Sequence, residues 1–138
     1  MATVSEALQE LKITEWVLRG EPKTEAEFKE MFRKVTGADA NGSAIESDDT
    51  SKWGVTWKQV SDKMTAIDAA APMKELRLQR DAKLAETDWT ALSDVTLTDN
   101  MKTYRQALRD LPAHKDGKNA SLASDGSLEN VKWPQKPA

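Results

Sequence analysis

The 138-residue sequence contains no cysteine and a single histidine, His114. Disulfides, thiolate metal sites and cysteine nucleophiles are therefore excluded. A zinc centre built on two or more histidines is excluded as well. No run approaches the 18 or so consecutive apolar residues of a membrane span. The opening MATVSEALQELKI carries Glu6, Glu10 and Lys12 where an export signal would carry an unbroken apolar stretch, so the expected location is the cytosol. Positive charge is not in excess either. The chain has 20 Lys+Arg against 23 Asp+Glu, net −3, and a nucleic-acid partner needs a concentrated basic face. There is no Gly-x-Gly-x-x-Gly, no phosphate loop and no Gly-x-Ser-x-Gly elbow. The expectation is no catalytic residue, no metal, no cofactor and no membrane or nucleic-acid partner.

Hydrophobic residues make up 38%, against roughly 45–50% in a typical globular domain (a range that also counts glycine). A chain this short with so little apolar material builds a thin core rather than a deep enclosed pocket. Five of its eight aromatics are tryptophan: Trp16, Trp53, Trp57, Trp89 and Trp133. Tryptophan supplies much buried area per residue and is also enriched at interface hot spots.

Hydrophobic spacing divides the chain into a front module, residues 1–71, and a second module, residues 72–138. Thr3-x-x-Glu6 reads as a capping box opening a short helix with Ala7, Leu8 and Leu11 on one face. Ile13–Arg19 reads as a strand that stops at Gly20. Thr24 and Glu27 open a second helix. Phe28, Met31, Phe32 and Val35 recur at helical spacing, and Gly37 ends it. Residues 38–52 form a polar loop in which Asn41-Gly42 suits a tight hairpin returning through Ala44-Ile45-Glu46. A third helix spans 56–70, and Pro72 marks the start of a fourth, reaching Glu86. Thr98 caps a fifth, carrying Met101, Tyr104, Leu108 and Leu111 and closed by Pro112. The end of the chain, Val131–Pro137, is extended because proline restricts the residue before it.

Two charged constellations invite a chemical reading. Asp39, Asn41, Glu46, Asp48 and Asp49 gather oxygen ligands in one loop, but the spacing misses the Gly and Glu positions of a calcium loop. A solvated turn is the reading favoured, with calcium left open. Arg77, Arg80, Arg105 and Arg109 recur at helical spacing on two successive helices, with Asp81, Asp88 and Asp110 close by in sequence. Structural ion pairs between the helices are favoured over bidentate capture of a partner's carboxylate. His114, in a polar stretch, is expected to face solvent.

Residues 76–137 carry three ordered blocks. An Arg-rich helix with Arg77 and Arg80 leads into Thr87-Asp88-Trp89-Thr90. Tyr104-Arg105-Gln106-Ala107-Leu108-Arg109-Asp110-Leu111-Pro112 follows, and Val131-Lys132-Trp133-Pro134-Gln135-Lys136-Pro137 ends the set. Together they resemble the bacteriophage tail assembly chaperone-like domain. The chain departs from that pattern at Met101, where the family often has tryptophan, and in a longer polar stretch before the last Trp-Pro.

The fold expected is mainly helical α+β. A short N-terminal helix-strand-helix module precedes an antiparallel helical hairpin and an extended Trp-Pro tail. Trp89 is placed to cap the apolar end of the hairpin, and Trp133 to fold back on it or dock on a neighbour. The resemblance implies a non-enzymatic protein that binds phage tail or tail-fibre proteins during assembly in the host cytoplasm. A resident structural subunit of the virion tail is the alternative, with self-association left open. Trp89, Tyr104, Arg105, Arg109, Trp133 and Pro134 are the candidate partner-binding residues.

Overall fold

A computed structural model describes residues 1–138, which divide into two compact units, Met1–Ala69 and Ala70–Ala138.

The first unit opens with α1 (Val4–Glu10). Thr3 Oγ1 accepts the Glu6 N–H and the Glu6 carboxylate accepts the Thr3 N–H, so the expected capping box is complete. Its apolar stripe, Val4, Ala7 and Leu8, is buried. The expected strand is β1 (Trp16–Leu18), and Thr24 caps α2 (Glu25–Met31). Here the sequence reading fails in part. The helix stops at Met31, and Phe32–Ala38 form strand β2, antiparallel to β1 and to β3 (Ala44–Ser47). Phe28 and Phe32 are spaced for one helix face, yet their rings still stack, 4.9 Å apart, with the chain turning extended between them. The β-branched Val35 and Thr36 favour the extended form. The pairing Leu18↔Phe32 through Trp16↔Lys34 supplies backbone partners that a continued helix would forgo. The Asn41-Gly42 turn leads back into β3 as expected, with a bulge at Thr36 between Val35 and Gly37.

The acidic loop resolves into turn chemistry. Asp39 accepts the N–H groups of Asn41 and Ser43, Asp49 accepts from Ser51, and Glu46 holds Arg19 in a two-point ion pair at 2.5 and 3.0 Å. No three carboxylate or imidazole groups converge on one point where a metal ion would sit. The core of this unit is aromatic. Phe28, Phe32 and Trp53 pack with Val4, Leu8, Val55 and Val60, and Trp16 and Trp57 lie against them half-buried. Trp53 is 2% exposed, and its indole N–H donates to the Ser47 carbonyl at 2.8 Å.

Helix α3 (Trp57–Thr87) runs from the first unit into the second without interruption, with Pro72 inside it. This corrects the expectation of a new helix at Pro72. Proline removes the N–H that would bond the Asp68 carbonyl, a cost of about 3 kcal/mol in a helix interior. The flanking Ala66, Ala69, Ala70 and Ala71 are the strongest helix formers, and Val60 and Leu76 on either side are fully buried. The second unit continues with a 3₁₀ turn (Asp88–Ala91), α4 (Asp99–Asp110) capped by Thr98, and a two-stranded ribbon of β4 (Ser121–Leu122) and β5 (Leu128–Glu129). Its buried side chains are few: Leu76, Thr87, Thr90, Tyr104, Arg105, Leu108 and Leu111. No helix is long and apolar enough to cross a membrane.

Because Trp53 fills the centre of the first core, Trp53→Ala is expected to cost about 3–5 kcal/mol of folding free energy. Urea unfolding followed by the remaining tryptophan fluorescence measures it, and a loss under about 1 kcal/mol contradicts this packing.

Candidate functional site

The end of α3 exposes a structural problem that the second unit solves with one side chain. The last four carbonyls of a helix, here from Leu84 onward, have no partner inside the helix. Arg105, on the buried side of α4 and only 8% exposed, reaches the first of them. Its Nη1 donates to the Leu84 carbonyl at 2.9 Å and to Thr87 Oγ1 at 2.7 Å, and its Nη2 donates to Asp88 Oδ1 at 2.9 Å. Thr87 passes its own hydroxyl proton to Leu84 O at 3.2 Å, and the Thr90 hydroxyl donates to Thr87 O at 2.5 Å. A cation at a helix C-terminus also meets the negative end of the helix dipole. No buried side-chain polar atom is left without a partner. The Thr-Asp-Trp-Thr block and Arg105 are therefore two halves of one fastening between α3 and α4.

The tail is fastened separately. Gly117 packs so closely on the chain that a Cβ there would lie 2.3 Å from the Leu111 carbonyl, so only glycine fits. This turn presents the Asp116 carbonyl, which accepts the Lys132 N–H at 2.8 Å. Beyond it, Lys83 Nζ sits 4.9 Å from the centre of the half-buried Trp133 ring, and Lys136 reaches Glu86 at 3.9 Å. Residues 131–138 hold no helix or strand. Between this segment and α4 lies a groove of about 640 Å³, lined by Ala107, Leu111, Trp133 and Pro134 with Thr103 and Gln106.

The six candidate residues fall into two classes. Tyr104 and Arg105 are buried. Trp89, Arg109, Trp133 and Pro134 reach the surface. Trp89 does not cap the apolar end of the helices as expected. It is 58% exposed, because Thr87 and Thr90 on either side turn inward to satisfy the fastening and leave the indole facing out. Leu92, bonded back to the Trp89 carbonyl, is exposed beside it at 56%. Nothing local in the sequence marks Leu92, and Thr87 is legible there only as part of the Thr87–Thr90 block. His114 is half exposed and its Nδ1 accepts the Asp116 N–H at 3.2 Å.

The family model described as phage tail assembly chaperone protein matches residues 73–138. The resemblance read from the three sequence blocks is thus shown for that stretch. No curated protein and no solved structure matches the chain.

Two predictions follow from the fastening. A lysine cannot reach three acceptors in a fixed fork, so Arg105→Lys leaves buried acceptors unpaired and is expected to cost about 2–4 kcal/mol. Asp88 is two-thirds exposed, so its pair is screened and Asp88→Ala costs under about 1 kcal/mol. Equal losses in denaturant titrations of the two variants contradict the assignment. Burial, and secondarily the charge of Glu86, raises the Tyr104 phenol above its ordinary value near 10. The neutral phenol is favoured in the folded state, so this contribution to stability is complete below about pH 10 and is lost as pH climbs through the raised value. Tyr104 is the only tyrosine, so tyrosinate absorbance is unambiguous. It is expected to appear at higher pH in the native protein than in denaturant, and coincident curves contradict the burial.

Proposed function

From residues 73–138, a unit of the phage tail assembly chaperone family, we propose that the chain acts by binding a phage tail or tail-fibre protein during assembly in the host cytoplasm. It carries out no reaction of its own in this reading. The single observation that carries the binding role is the exposed Trp89 with Leu92 in the middle of the matched segment. Both neighbouring threonines are committed to the chain's own fastening, while the largest side chain of the block has no use inside it. An exposed tryptophan held on a rigid turn is a strong anchor, because little freedom remains to be lost on binding. The groove beside Trp133 and Pro134 supplies a second apolar surface in the same unit. We further read residues 1–71 and 72–138 as a front module and a binding module, the latter carrying Trp89, Arg109, Trp133 and Pro134.

The test is co-purification of the tagged full-length chain from cells infected by the phage that encodes it, with tail and tail-fibre proteins identified by mass spectrometry. Trp89→Ala is expected to lower their recovery at least tenfold while the helical circular dichroism is unchanged, since the indole is not core. Undiminished recovery contradicts the anchor. Mass spectrometry of purified particles separates the two roles. A transient chaperone is absent from them, and stoichiometric presence replaces that reading with a resident tail subunit.

A further inference from the structure

The fastening uses one of the four arginines that the sequence places on α3 and α4, and the remaining three meet elsewhere. Arg77, Arg80 and Arg109 line an open cleft of about 540 Å³, floored by Pro112 and Ala113. Arg80 is bonded to its neighbour Asp81 at 2.9 Å. Arg77 and Arg109 are exposed and make no ion pair or side-chain hydrogen bond within the chain. Asp110 also lines the cleft, but one of its oxygens already accepts from Gln106 at 3.0 Å. The cleft adjoins the groove beside Trp133, with Asp110 and His114 lining both. Together they make one trough of the second unit, with Ala107, Leu111, Trp133 and Pro134 at one end beside Asp116 and Lys132. Its other end is cationic, with two guanidinium forks unpartnered.

We propose that this trough takes an extended acidic segment of the partner protein, with an apolar side chain beside Trp133 and carboxylates on Arg77 and Arg109. The assignment rests on the binding role proposed above and names the chemistry of what is bound. Guanidinium groups match carboxylates in two-point geometry, and their planar forks bind them more specifically than the point charge of a lysine. A nucleic-acid strand fits less well. Its backbone needs positive charge along a continuous track, whereas this trough presents Ala107, Leu111, Trp133 and Pro134 with the carboxylates of Asp110 and Asp116 beyond its arginines, and the chain is net −3.

The experiment uses the full-length chain, isotope-labelled for NMR of backbone and arginine side-chain signals. Three probes are titrated to millimolar concentration: a peptide of sequence Trp-Leu-Glu-Glu-Asp-Glu, its amide counterpart Trp-Leu-Gln-Gln-Asn-Gln, and an oligothymidylate with the same number of charges. The acidic peptide is expected to shift the Arg77 and Arg109 side-chain signals and to bind at least about tenfold more tightly than the amide peptide. The variant Arg77→Gln/Arg109→Gln, altered only at exposed positions, is expected to lose that preference while its spectrum remains that of the folded protein. Equal binding of the two peptides, an unchanged preference in the variant, absence of peptide shifts at these arginines, or tighter binding of the oligothymidylate each overturns the proposal. Loss of tail-protein capture by Trp89→Ala would stand even then, so failure of this assignment is distinguishable from failure of the binding role. The reverse also holds: a selective peptide response with no tail protein captured from infected cells refutes the role and leaves the acid-binding trough.

Discussion

The Arg105 guanidinium, donating to Leu84 O, Thr87 Oγ1 and Asp88 Oδ1, is the interaction on which the second unit depends. The unit has few buried apolar side chains, so packing alone constrains the approach of α4 to the end of α3 only weakly. A planar fork with three acceptors constrains it in distance and in angle. One of the same bonds joins the Thr87 hydroxyl in satisfying the Leu84 carbonyl at the end of α3. They also decide what faces outward. Thr87 and Thr90 are drawn in, and Trp89 between them is turned out with Leu92.

This division of labour explains how five tryptophans coexist with a low apolar content. Trp53 fills the centre of the first core, with Trp16 and Trp57 half-buried against the same phenylalanines. The other two belong to the second unit and are spent on its surface. Trp133 is steadied by Lys83, and Trp89 rests on a turn whose backbone is fixed from below. The thin core expected from composition is thus accompanied by aromatic surface held in place by polar bonds.

Local signals were read well from the sequence. Thr3 with Glu6, Thr24 and Thr98 cap helices where expected, because each cap is a bond between residues three apart. The hairpin at Asn41-Gly42 belongs to the same class. What escaped depends on partners distant in the chain. Phe32 and Val35 carry helical spacing, and only the pairing of Phe32 with Leu18 and of Val35 with Glu46 makes them a strand. Pro72 is an ordinary helix start by local chemistry, yet burial on both sides keeps one helix running through it. Trp89 reads as a cap on the apolar end of the helices until Thr87 is seen to be engaged by Arg105, 18 residues away, and Thr90 by the Thr87 carbonyl. Of the candidate site residues, the blocks were legible as blocks. The split into buried residues, Tyr104 and Arg105, and surface residues, Trp89, Arg109, Trp133 and Pro134, required the geometry.

The central claim is that Arg105 and Thr87 act as one unit rather than as two independent contributors. A double-mutant cycle on folding free energy, with Arg105→Met, Thr87→Val and the pair, measures this directly. Contacting partners in a polar network show interaction energies of about 0.5–3 kcal/mol, and a buried charge-assisted bond belongs in the upper half of that range. The account predicts a coupling of at least about 1.5 kcal/mol. Losses that add to within about 0.5 kcal/mol would contradict it.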